Sequence, residues 1–124
     1  MSKVSKDTAR FEDHGVVTEW VQEVDGYEIS FLTFRESVDA TPLLAGLPDD
    51  MCQCPHWGYV LEGRLSFRFA DRVEELGPGD AFYLPPGHVP TAEAGTSYVQ
   101  FSPAHEIKAT NEAILANLRK MQPA

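Results

Sequence analysis

An all-β sandwich or barrel followed by a C-terminal amphipathic helix is the fold that this sequence predicts. Three observations carry the expectation. Short runs of alternating apolar character recur along the first hundred residues, turn formers separate them at regular intervals, and an apolar stripe at helical spacing follows residue 102.

In chain order, Val16 to Val24 is rich in β-branched and aromatic residues and reads as a strand. Asp25-Gly26 is a hairpin-turn signal, and Tyr27 to Arg35 alternates as the returning strand, so the N-terminal third is a predicted β-hairpin. Pro42 to Asp50 is a loop of turn formers with an acidic pair. Arg64 to Ala70 reads as a strand, Asp71-Arg72 as a turn and Val73 to Leu76 as the partner, while Ala81 to Leu84 and Ser97 to Phe101 complete the series. Ser102-Pro103 has the form of an N-cap followed by proline at the first helical position. Ile107, Ile114, Leu115, Leu118 and Met121 share one face at helical spacing, which predicts one or two amphipathic helices over residues 103 to 121. Such a stripe is expected to serve packing, by closing the barrel or covering a neighbour.

The chain has 124 residues, enough for one core that buries about two thirds of the unfolded surface. No repeat, low-complexity tract or Pro/Gly-rich linker divides it, so a single domain over 1–124 is expected, with the barrel core at about 14–102 and the helical segment at about 103–121. A hydrophobic content of 43% excludes disorder. No apolar run approaches the roughly 20 residues of a membrane span. The start, Met1-Ser-Lys-Val-Ser-Lys-Asp, lacks the apolar core of a signal peptide, and the expected location is cytoplasmic. Nineteen acidic against ten basic side chains give a net charge of −9, which repels phosphate backbones and anionic lipid. Neither nucleic acid nor a membrane surface is an expected partner.

The chemistry concentrates in Cys52-Gln-Cys54-Pro55-His56. One residue separates the two cysteines, and a disulfide across so small a loop is strained. Metal binding or a reactive thiol is the better use. In an extended strand Cys52, Cys54 and His56 project to one face, and Gly58 and Val60 continue that line. The glycines Gly63, Gly77, Gly79 and Gly87 match neither a P-loop nor a dinucleotide fingerprint. Ser66 and Ser97 lie outside any nucleophile-elbow context, so nucleotide binding and a Ser-His-Asp mechanism are both unsupported.

Tyr59-Val60-Leu61-Glu62-Gly63, followed by Gly79-Asp80-Ala81-Phe82-Tyr83-Leu84-Pro85-Pro86-Gly87-His88, resembles the two sequence boxes of a small single-domain cupin, directly over residues 45 to 102. The resemblance implies a double-stranded β-helix, the cupin jelly-roll barrel, with the C-terminal amphipathic helix added to it. It also implies ligands aimed into the barrel, a small-molecule ligand or substrate, and a homodimer. Cupins usually place two histidines one residue apart, then a glutamate, then a further histidine from the second box. This chain departs from that pattern. His56 occupies the usual glutamate place, Asp50 and Cys52 fall where the histidine pair stands under one spacing, and Pro90 takes the place usually held by the last histidine, with His88 directly after Gly87.

Thiolates in place of histidine and carboxylate shift preference from iron or manganese toward zinc. The expected metal set is Cys52, Cys54, His56 and His88, binding a divalent ion with zinc favoured. Three ligands spaced one residue apart crowd a single ion, which leaves open a role for one cysteine as a neighbour or nucleophile, and for Asp50 as a substitute ligand. His14 and His105 lie outside both boxes and are expected in solvent. Of Phe82 and Tyr83, alternation sends one to the cavity and the other to the opposite side, and Tyr59 and Tyr98 are further candidates for an internal polar contact. Three functional classes follow: a zinc-dependent enzyme acting on a small organic molecule, a non-catalytic metal or small-molecule binding protein or sensor, and a metal-free sugar isomerase or epimerase using His88 and Tyr83 as acid and base.

Overall fold

A computed structural model describes residues 3–121. These form strands β1 (Arg10–Asp13), β2 (Val17–Val24), β3 (Tyr27–Phe34), β4 (Val38–Asp39), β5 (His56–Glu62), β6 (Leu65–Arg68), β7 (Val73–Leu76), β8 (Ala81–Leu84), β9 (Val89–Ala92) and β10 (Ser97–Pro103), then helix α1 (Ala104–Met121). Two 3₁₀ turns, Thr41–Leu44 and Pro48–Asp50, occupy the loop ahead of the cysteine box.

The strands form two antiparallel sheets, one of six strands in the order β1-β2-β3-β10-β5-β8 and one of four in the order β4-β9-β6-β7. The expected double-stranded β-helix is thus present as two sheets and a helix. Correcting the expectation of a barrel, no strand ladder among the described residues closes the two sheets into one cylinder. An isolated antiparallel bridge between Cys52 and His88 ties the segment entering β5 to the segment entering β9.

The β2–β3 hairpin turns where its sequence predicts, because Asp25 and Gly26 both take left-handed backbone angles, φ 50° and 83°, as a two-residue hairpin turn demands. The cysteine box is inward-facing as predicted but not yet a strand. Regular pairing begins at His56, so Cys52 and Cys54 precede the ladder, while burial already alternates from Cys52 through Cys54 to His56, with Gln53 and Pro55 half-buried between them, before exposed Trp57 and Tyr59 and buried Val60. Proline at position 55 supplies no N–H to a ladder, which accounts for a strand that starts directly after it.

The helix also starts later than its apparent cap. Ser102 and Pro103 remain in β10, paired with Glu28 and Tyr27, and Ala104 N–H donates to Gly26 O at 2.8 Å. Ser102 points inward and is 1% exposed, leaving it free for the site. Along α1, Ile107 is buried and Ile114 and Leu118 pack against the core, whereas Leu115 and Met121 lie outside it.

Two apolar clusters result. One joins Ala40, Leu43, Leu44, Cys52, Cys54, Val89 and Ile107; the other joins Val60, Leu65, Phe67, Phe69, Leu84, Ala92 and Tyr98. Each fully buried large aliphatic side chain contributes about 1.5–3 kcal/mol. The strand β9, not read from sequence, carries Pro90 within it, whose carbonyl accepts from Ala40 N–H at 3.0 Å.

Candidate metal centre

Main-chain pairing fixes the first two site residues. Cys52 N–H donates to His88 O at 2.9 Å, and His88 N–H donates to Cys52 O at 3.2 Å. Their side chains leave this bridge toward His56, which β5 delivers from the opposite sheet. The Cys52 Sγ to His56 Nε2 distance is 3.4 Å, and the His56 and His88 rings meet edge to face with centroids 5.0 Å apart. One ligand atom from each of Cys52, His56 and His88 lies within 4.8 Å of the others.

Hydrogen bonds set the orientation of each group. His88 Nδ1 lies 2.9 Å from Pro85 O, and since a carbonyl only accepts, Nδ1 carries the proton and Nε2 keeps its lone pair. His56 Nδ1 lies 2.7 Å from Ser102 Oγ, leaving Nε2 directed at Cys52. Thr110, presented by α1, places its hydroxyl 3.3 Å from Cys52 Sγ. Ser102 and Thr110 were not identified from the sequence, where one reads as a helix cap and the other as an ordinary helical residue.

Burial governs the protonation of all three. It lowers His56 from 6.5 to about 3, with the neighbouring His88 adding to the effect. Burial lowers His88 as well, opposed by its bond to Pro85. Both imidazoles are neutral at ordinary pH, the form that ligates metal. Burial raises the Cys52 thiol, opposed by its hydrogen bonds with Thr110 and at Cys54.

Cys54 stands apart from this group. It is 1% exposed, its thiol donates to Pro55 O at 3.3 Å, and burial with the adjacent Cys52 pushes it up to about 12. The structure therefore brings together Cys52, His56 and His88 and leaves Cys54 in the apolar wall behind them. Asp50 is not in the group either: it is exposed, and its Oδ1 accepts from Gly46 N–H at 2.9 Å.

Cys52, His56 and His88 line a cavity of about 300 Å³, shared with Tyr98, Glu19 and His14. That volume is at the small end of ligand pockets. His14 departs from its predicted exposure. Its side chain is 18% exposed, with Nε2 3.1 Å from Glu19 and 3.6 Å from Glu12, and these three form a second constellation of metal-binding type. Here, however, the imidazole already bridges both carboxylates, Arg10 donates to Glu12 at 2.8 Å and Ser30 to Glu19 at 2.8 Å. His105 is exposed as expected, at 84% of its side chain.

The tyrosines divide by strand parity. Tyr98 is buried against Phe34 and Phe82. Phe82 faces inward onto Phe67, so Tyr83 faces outward, 51% exposed and packed on Trp57. The expected His88–Tyr83 acid-base pair is not formed, because Tyr83 faces outward from the six-stranded sheet whereas His88, ahead of β9 in the other sheet, is buried in the interior.

Comparison with known proteins agrees with this architecture. A family described as the AraC-like ligand binding domain matches residues 55–104. No curated protein matches the sequence. An RmlC-like cupin from Shewanella frigidimarina is similar with a TM-score of 0.61 at 18% identity, over 86% of this chain and 94% of the other. The polyketide cyclase RemF from Streptomyces resistomycificus gives 0.57 at 18%, over 84% and 80%. A cupin-superfamily sugar phosphate isomerase from Silicibacter pomeroyi gives 0.60 at 11%, over 82% and 74%. With its paired antiparallel sheets and ligands converging on the cavity between them, the chain has the jelly-roll fold of the cupin superfamily.

Proposed function

We propose that this chain is a single-domain cupin that holds a divalent metal ion through Cys52, His56 and His88 and acts on a small organic molecule in the adjoining cavity. The observation that carries this reading is the convergence of three buried ligand atoms within 4.8 Å at the wall of that cavity. One thiolate and two neutral imidazoles suit zinc, which takes protein ligands of this kind in tetrahedral sites. A three-ligand set leaves a coordination position for a substrate or water, and an ion bound there supplies Lewis-acid polarisation.

The protein's own groups prepare the site. Pro85 fixes the His88 tautomer, Ser102 orients the His56 ring, and Thr110 places a hydroxyl that would donate to the Cys52 sulfur once it has lost its proton on binding. Tyr98, whose hydroxyl burial keeps protonated, bounds the cavity beside them. Similar folds named as a polyketide cyclase and a sugar phosphate isomerase support a small organic substrate. A second reading, ligand binding without turnover, draws support from the match to the AraC-like ligand binding domain.

Metal content per chain, measured after purification without an affinity-metal column, tests the assignment. Near-stoichiometric zinc is expected in wild type and in Cys54→Ser, with loss in Cys52→Ser, His56→Ala and His88→Ala. Wild-type protein that stays metal-free after anaerobic incubation with zinc overturns the reading. Metal retained in all three ligand variants overturns it equally.

A further inference from the structure

The cavity beside the candidate metal centre has a second end of opposite chemistry. Cross-strand register places Glu12, Glu19, Leu32 and Tyr98 side by side across β1, β2, β3 and β10, all facing the cavity. Glu28 stands on β3 opposite Ser102 of β10, two strand spacings or about 10 Å from β5, which carries His56. Three carboxylates, Glu12, Glu19 and Glu28, therefore line this space, with Arg10 as the single guanidinium and no lysine among the described residues. Arg10 already pairs with Glu12 at 2.8 Å, and 67% of its side chain is in solvent.

Glu19 and Glu28 have hydrogen-bond partners but, among the described residues, no lysine or arginine paired with them. Ser30 Oγ donates to Glu19 at 2.8 Å, His14 Nε2 lies 3.1 Å from its other oxygen, and Asn111 Nδ2 donates to the two oxygens of Glu28 at 3.3 and 3.4 Å. Burial raises Glu28, the Asn111 hydrogen bond opposes this, and the charge of Glu19 raises it again. Two carboxylates that repel each other away from bulk water are stabilised by a positive charge between them. Tyr98 points to a ligand independently. It is 5% exposed and lines the cavity, and none of the described residues hydrogen-bonds its hydroxyl. No described side-chain oxygen is sealed from solvent without a partner, so this hydroxyl opens on the cavity. Gln100, the next inward-facing residue of β10, brings an amide carbonyl to the same wall.

We infer that the cavity takes a small organic ammonium compound, a protonated primary amine whose cationic head lies against Glu19 and Glu28 and whose carbon skeleton crosses the apolar lining toward Cys52, His56 and His88. Only the placing of the far end rests on the metal reading above; the head group rests on the carboxylates and Tyr98. An ammonium brings three N–H donors to an end of the cavity rich in acceptors, and its bonds to carboxylates are roughly twice as strong as those of a neutral donor. An anionic molecule meets the same carboxylates as repulsion, and an alcohol gains none of the ionic attraction. The net charge of −9 draws the same class of solute toward the protein.

Isothermal titration calorimetry at neutral pH, with three probes that share one carbon chain, tests this on the metal-free chain and on the chain incubated with zinc. The probes are n-pentylammonium, n-pentanol and pentanoate, short enough for a cavity of about 300 Å³. Pentylammonium should bind about 10-fold or more tighter than pentanol in both preparations, with pentanoate weaker still. Glu19→Gln and, separately, Glu28→Gln should each weaken pentylammonium about 10-fold or more, and Tyr98→Phe about 3-fold. Glu74→Gln, exposed on the other sheet, should leave its binding unchanged. The probe series on wild type gives the answer without a substitution if a variant fails to fold. A preference for pentylammonium in a chain that takes up no zinc supports the inference while removing the metal reading. Pentanol or pentanoate bound as tightly as pentylammonium overturns the inference, as does the lack of saturable pentylammonium binding up to about 10 mM, whether or not zinc is retained. A preference that survives both glutamine variants overturns it equally, by placing the head elsewhere.

Discussion

Replacing Ser102 by alanine removes a single oxygen from behind the His56 ring. Ser102 is 1% exposed, its Oγ lies 2.7 Å from His56 Nδ1, and the histidine is itself 4% exposed, so bulk water does not take its place. A buried polar group left without its partner costs about 1–3 kcal/mol. In a metal-loaded site His56 would be the residue holding the ion at Nε2, its proton would stay on Nδ1, and Ser102 would be the acceptor that proton needs. The penalty falls on metal affinity, where loss of a comparable outer partner costs about 10- to 100-fold. Zinc competition against a chromophoric chelator at constant pH should therefore show Ser102→Ala at least 10-fold weaker than wild type, with a lowered melting temperature for the metal-free protein. Ser102→Thr keeps the hydroxyl and should recover most of the affinity. A folded Ser102→Ala protein that binds zinc within twofold of wild type refutes the role given to this hydrogen bond.

Other predictions follow from packing and protonation. In Gly58→Ala the new methyl meets the Phe82 ring, with Cε2 at 2.7 Å, and the Val99 carbonyl of the facing strand, so a destabilisation of about 1–3 kcal/mol is expected in a denaturant melt and Phe82→Leu should relieve part of it. Asn117→Ala takes away the donor to Leu43 O at 2.8 Å and Ala45 O at 3.0 Å, and accelerated amide exchange in α1 should report the loosened docking of the helix. Acidification of the metal-free protein should destabilise it. His56 titrates near 3 when folded against about 6.5 when unfolded, so between these values the unfolded chain binds the extra proton. Stability is then full above pH 6.5 and falls by up to about 1.4 kcal/mol per pH unit below it, with His88 acting in the same direction. Flat unfolding free energies between pH 6.5 and 4.5 contradict this account.

The strands that sequence reveals best are those whose pattern is local. β2 and β3 carry their own alternation and their own turn at Asp25-Gly26, and they form within one residue of the predicted limits. β9 escapes because Pro90 interrupts its reading, although its pairing with β6 tolerates a residue without an N–H. The candidate centre divides the same way. His56 and His88 are legible because each sits beside a recognisable box. The separation of Cys52 from Cys54 is not, since the strand expected to align their side chains begins only after Pro55. Ser102 and Thr110 reach the site from β10 and α1 through contacts 46 and 58 residues away in sequence, which no local spacing encodes. The placing of His14 is hidden for a related reason: Glu12 is two residues away, but Glu19 becomes its neighbour only when β1 pairs with β2.

The reciprocal main-chain bonds between Cys52 and His88 separate two properties that a binding site must otherwise solve together. Where the donors stand is decided by peptide groups that every substitution except proline retains. Which atom each donor offers is decided by side chains alone. A lineage can therefore exchange imidazole, carboxylate and thiolate at these positions, and so move between metals, without first redesigning the frame that holds them. Cys52 is held in that frame by its peptide group and offers sulfur to the site by its side chain alone.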